Sequence, residues 1–148
     1  MEKGFSLIEL LITMIIVAIL VAIAYPSYTD YLRKSKRVEA QAELLDLASK
    51  IQRYKIANFT FLQTDGEPIT LENIGESEML TLPRSGNPLY QVTLFDVTEK
   101  TWTLAATPID NTTQQLDGGV AVNYRGEKCW VKSQKNCIPS EETTWDHK

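Results

Sequence analysis

From Leu10 to Thr29 the chain carries no charged residue, and nearly every position up to Ala24 is aliphatic. Coiled into a helix, a run of this length extends ~30 Å, about one hydrocarbon thickness. Such a stretch cannot face water by itself. It must be covered by lipid, by a protein core, or by other chains.

One acid complicates the simplest reading of that run. Glu9 stands directly before it, and a carboxylate at the centre of a membrane span costs ~2.5–3.5 kcal/mol. The cost is lower near the end of a span, but a partner is still expected. A secretory signal peptide would end in a small-residue cleavage site soon after its apolar core. Here the run passes instead into "YPSYTDYLRKSKRVEAQAELLDLASKIQRY", which reads as helix throughout. A plain transmembrane anchor is the other ordinary reading, and it leaves Glu9 unexplained.

The segment "KGFSLIEL" resembles the processing motif of type IV prepilins and related pseudopilins: a short leader ending in Gly, then Phe, then Glu. The resemblance implies that residues 1–4 are a leader ending at Gly4. A prepilin peptidase would cut between Gly4 and Phe5 at the cytoplasmic face and N-methylate Phe5. Residues 5–28 would then remain as the transmembrane and assembly half of a long helix. It also implies that Glu9 of an incoming subunit meets the amino group of Phe5 on a subunit already in the filament. A cation in an apolar core needs a counter-charge, and so does a carboxylate, so the pair would set register during assembly. Many members of the family have a glycine eight residues after the position of Leu10. Ala18 stands there in this chain, and Ala favours helix over Gly by ~1 kcal/mol.

Charge gives a conflicting indication of topology. Arg33, Lys34, Lys36 and Arg37 lie just beyond the apolar run, whereas the leader offers Lys3 and the terminal amine against Glu2. A literal positive-inside count would put the C-terminal part in the cytoplasm. The processing motif and the cysteine pair both favour the opposite orientation, with the head in the periplasm.

The helical pattern runs from Phe5 to about Ala57, and Pro26, which lacks an amide donor, is where a kink or local melting is expected. In the amphipathic half, residues 29–57, Ala40, Leu44, Leu47, Ile51 and Tyr54 share one face. Tyr31, Val38, Ala42, Leu45 and Ile56 share nearly the opposite one, with Glu39, Asp46, Lys50 and Arg53 between. A surface helix needs one apolar stripe. Two stripes suggest a helix held between its own head and a second surface, either a neighbouring subunit, a further layer of the same chain, or a coiled-coil partner.

Across its first 60 residues, through YPSY, DY, RKS, EAQA and RY, the chain is similar to the PilE-type minor pilins of type IV pilus systems. Beyond that, "WTLAATP" and "LDGGVAV" are short echoes of the same family.

Residues 58–148 form the expected head, and their composition separates them from the rest. From Met1 to Ala57 there are 8 Lys/Arg and 6 Asp/Glu; from Asn58 onward there are 7 and 13, a net charge of −6. That balance argues against general affinity for nucleic acid or anionic lipid. "LYQVTLF", "TWTLAAT", "GVAVNY" and "KCWVK" read as strands, the first two as an antiparallel hairpin. Residues 57–88, with Gly66, Pro68, Gly75, Pro83, Gly86 and Pro88, read as a long loop with a short helical piece near Leu71–Met79. The expected fold class is α+β: a long N-terminal helix packed on an antiparallel sheet of three to four strands.

Cys129 and Cys137 suggest a disulfide in an oxidising compartment, two reduced thiols being the alternative. Bridged, they would close the loop "CWVKSQKNC", a constraint worth about 2.6 kcal/mol on the loop-entropy model. By resemblance, such a loop bounds a surface region suited to subunit or tip contacts. Catalysis finds no support: the one histidine is His147, and no metal-ligand spacing, nucleophile motif or phosphate loop occurs. No cofactor is expected.

The resemblance implies a structural minor pilin that primes assembly of a type IV pilus or sits at its tip. Such a pilus serves twitching motility, adhesion or DNA uptake. The alternatives are a major pilin and a type II secretion pseudopilin. Expected partners are other pilin subunits, prepilin peptidase, the inner membrane and the assembly machinery. Nucleic acid is not favoured, except at the Lys128, Lys132 and Lys135 end.

Overall fold

The computed structural model describes residues 5–146, in two units divided between Lys34 and Ser35. One helix, α1, spans Leu7–Asn58 and contributes to both. Five strands follow: β1 (Thr81–Leu82), β2 (Tyr90–Phe95), β3 (Thr103–Pro108), β4 (Val120–Asn123) and β5 (Lys128–Trp130).

In the first unit the helix is uncovered. None of its most apolar window is buried, and Leu10, Ile16, Leu20 and Ile23 are all exposed. Helical structure runs through Pro26 without a break, so the local melting expected there is absent. The Thr29 hydroxyl donates to the Pro26 carbonyl at 2.8 Å.

In the second unit the sheet runs β1-β2-β3-β4-β5 with every neighbouring pair antiparallel. The four segments expected to be strands are β2 to β5. The additional β1 lies in the stretch expected to be loop, and two residues are too short to show a period. Alternation places Tyr90, Val92, Leu104, Ala106, Val120 and Val122 on the inner face, where they form a core with Ala40, Leu44, Leu47 and Ile51 of α1. Phe61 closes the core edge-on against Trp102, with ring centroids 6.4 Å apart. The second stripe of α1 finds no cover within this unit: Val38, Ala42, Leu45 and Ile56 are exposed.

The helix ends with Phe59 at φ 62°, in the left-handed region where a helix terminus usually has Gly. The loop that follows contains a bridge between Leu62 and Pro68 and a 3₁₀ turn at Glu72–Ile74, within the segment expected to be helical. Ionic contacts tie that loop to α1. Glu76 accepts from both Lys50 and Arg84, and Arg84 also donates to Glu43 at 2.8 Å. On the other side of α1, the buried Arg37 pairs with the buried Asp117 and stacks on Trp130.

Candidate assembly site

The chemistry anticipated at the N-terminus centres on Glu9. Its carboxylate accepts the backbone N–H of Ser6 at 2.9 Å, and the Ser6 hydroxyl accepts the N–H of Ile8 at 3.3 Å. This is a reciprocal cap. Ser6 satisfies one orphan donor of the first turn, and Glu9 reaches back to satisfy another. The negative charge also lies at the positive end of the helix dipole. Ser6 was missed in reading the sequence, although Ser-x-x-Glu before an apolar run is the written signature of such a cap. Glu9 thus has a partner within its own chain. Phe5 is exposed beside it, and Gly4 lies outside the described residues. Pro26 is exposed within α1, farther along the same apolar surface.

The second anticipated region is the cysteine loop. Cys129 and Cys137 are bonded, with Cα atoms 6.0 Å apart. The bridge packs on the outer face of the sheet over Ala105 and Ala121, where small side chains leave room. Gly118 and Gly119 hold the loop at close range. A Cβ on Gly119 would come within 1.9 Å of the Lys135 carbonyl oxygen, and one on Gly118 within 2.2 Å of that of Val131. The Gly119 N–H donates to the Gln134 carbonyl at 2.7 Å, and the Trp130 indole donates to the Asp117 carbonyl at 3.0 Å.

The three lysines at this end have different surroundings. Lys135 pairs with Asp110 at 2.5 Å, which removes it as a free cation. Lys128 sits 4.9 Å above the Trp145 ring, and Arg125 lies 5.4 Å from that of Tyr124. Lys132 is exposed. Among the described residues no group of three or more His, Cys, Asp or Glu is placed to hold a metal ion.

Comparison with known proteins places this architecture. A family described as "Type IV minor pilin ComP, DNA uptake sequence receptor" matches residues 26–118, and a prokaryotic N-terminal methylation motif matches residues 1–25. The chain belongs to the type IV minor pilin family. A fimbrial protein of Pseudomonas aeruginosa is 31% identical to this pilin over 97% of the chain and 90% of that protein. The type IV major alpha-pilin of Moraxella bovis is 38% identical over 57% of the chain, a match spanning about half (54%) of that protein. The pilin also shares its fold with the Neisseria meningitidis non-core minor pilin PilV. That likeness has a TM-score of 0.51 and 22% identity, and covers 72% of this pilin and 94% of PilV. The long helix, the antiparallel sheet and the C-terminal disulfide are those of the pilin fold. The family match ends before β4, so the disulfide loop lies outside the part matched.

Proposed function

We propose that this pilin is a structural filament subunit of a type IV pilus that primes assembly or occupies the tip. It enters the inner membrane through the apolar half of α1, with its head in the periplasm. It is cut between Gly4 and Phe5 by a prepilin peptidase, is N-methylated on Phe5, and joins the extracellular pilus by burying that half-helix among other subunits. The observation that carries this reading is the uncovered helix in the first unit, with an acid in its first turn and apolar side chains on every side. In the filament Glu9 exchanges, or shares, its Ser6 cap for the Phe5 amine of a neighbour. Mass spectrometry of purified pili tests it. The expected result is a mature chain beginning at methylated Phe5 and present in minor amount. A chain still beginning at Met1 overturns the processing step, and a dominant band makes it a major pilin. Presence only in a type II secretion complex makes it a pseudopilin.

A second reading, contact with DNA, is favoured by the description of the matching family. Lys128 over Trp145, Arg125 over Tyr124 and the exposed Lys132 combine cations with aromatic faces, the elements that hold nucleic acid strands. The acidic balance of the head restricts any such contact to this end. Titration of the full chain in detergent with duplex and single-stranded DNA tests it: binding should weaken as salt rises and fail in Lys128→Glu/Lys132→Glu. Salt-independent or unchanged binding removes this reading.

A further inference from the structure

The sheet has an edge that its own chain leaves half paired. The Ile109 N–H donates to the Leu89 carbonyl at 2.9 Å. In an antiparallel ladder this assigns Gln91, Thr93 and Phe95 to bonds with β3 and turns the backbone groups of Tyr90, Val92 and Leu94 to the opposite side. On that side β1 pairs only with Tyr90 and Gln91, and the Val92 N–H reaches the Leu80 carbonyl at 2.8 Å. The pairing stops there. The N–H and C=O of Leu94 face outward past the end of β1, with no backbone partner among the described residues.

This open edge borders a groove of about 540 Å³ whose opposite wall is the segment Pro68–Leu71. The half-buried Leu94 and Val97 and the exposed Phe95 give it apolar surface, over a floor of the buried Ile69, Leu71 and Val92. Among the described residues its only charged lining residues are Glu78 and Asp96, both exposed, and no Lys or Arg lines it. An open strand edge offers main-chain hydrogen bonds at the strand repeat, and an apolar wall accepts every second side chain of an added strand. The two carboxylates select the charge of the remaining ones.

We propose that this groove takes an extended strand of a partner polypeptide, in which apolar residues alternate with lysine or arginine, added antiparallel or parallel to β2 beside Leu94. The incoming strand takes the place that a longer β1 would occupy. Its apolar side chains lie over Leu94 and Val97, and its cations meet Glu78 and Asp96. None of the groove's lining residues belongs to the apolar half of α1 or to the disulfide loop. The groove therefore gives the head a contact that does not depend on helix packing.

The test uses the full chain in detergent and a capped peptide of about six residues, the usual strand length, with valine alternating with lysine. Hydrogen exchange should slow at Leu94 when this peptide is added. A valine–glutamate peptide of the same length should not slow it. Glu78→Gln combined with Asp96→Asn, which keeps a residue tolerant of the positive φ at 96, should weaken the lysine peptide about three- to tenfold, the yield of two exposed ion pairs. Equal binding of the two peptides, no effect of the double variant, or exchange protection confined to other segments would each overturn the assignment. Protection of Leu94 that rises with protein concentration in the absence of peptide would also overturn it, because a second copy would then be the occupant.

Discussion

The guanidinium of Arg37 lies 3.7 Å from the centroid of the Trp130 ring while it pairs with Asp117, so one side chain of α1 joins the helix to β5 and to the turn before β4. All three groups are buried. A buried carboxylate is tolerable only with its cation present, and the flat guanidinium suits both the carboxylate and the indole face.

Arg37→Leu should therefore cost about 3–5 kcal/mol of head stability, because it leaves Asp117 charged and buried. Arg37→Lys should recover part of this, since it restores the charge but not the planar stack. Urea unfolding of the detergent-solubilised chain, followed by tryptophan fluorescence, measures both.

Acid should weaken the tie between α1 and the loop after it. Arg84, and behind it Lys50, hold the Glu76 carboxyl down to about 2 from its usual 4.5, against the opposing effect of burial. The folded-state value lies below the unfolded one. The stabilisation is complete above pH 4.5 and is lost as pH falls toward 2. Glu76→Gln should flatten that part of the stability profile, read from urea midpoints across this range.

Gly119→Ala should displace the disulfide loop, since the new Cβ would meet Lys135 backbone that has no side-chain freedom to give. A loss at the upper end of the 1–3 kcal/mol typical of overpacking is expected, at about 3 kcal/mol. Thermal unfolding together with alkylation of free thiols separates destabilisation from failure of the bridge to close. Cys129→Ser with Cys137→Ser should cost about 2–4 kcal/mol by the same assay.

The cap that Glu9 makes and the assembly role proposed for it can be told apart by one substitution. Glu9→Gln keeps an oxygen for the Ser6 N–H, and glutamine is accepted in such caps, but it removes the charge. Cleavage should continue and entry into pili should drop sharply. Wild-type incorporation of Glu9→Gln in sheared pili would reduce Glu9 to a helix cap.

The exposed stripe of α1 should matter to assembly and not to folding. Leu45→Glu is expected to change head stability by no more than ~0.5 kcal/mol, since the residue faces solvent. It should lower incorporation into filaments, quantified by mass spectrometry against a core substitution such as Leu47→Ala. If both measurements are unchanged, the stripe is not a filament contact.

Local repetition is what the sequence by itself determined about this protein. An uncharged run, two helical stripes and the alternation of "LYQVTLF" and "TWTLAAT" announce themselves because periods of 3.6 and 2 survive without any knowledge of what they pack on. The stripe of Ala40, Leu44, Leu47 and Ile51 and the strands β2 and β3 were legible for that reason, β4 and β5 by their place around the turn-like "RGE", and the acid at position 9 by standing beside the uncharged run. Tertiary structure alone decided the rest. A two-residue strand, the pairing of Arg37 with Asp117 80 residues away, and the early end of β1 that leaves Leu94 open have no period to read. They depend on which distant backbone arrives alongside, and that is settled by how the whole head closes over its core.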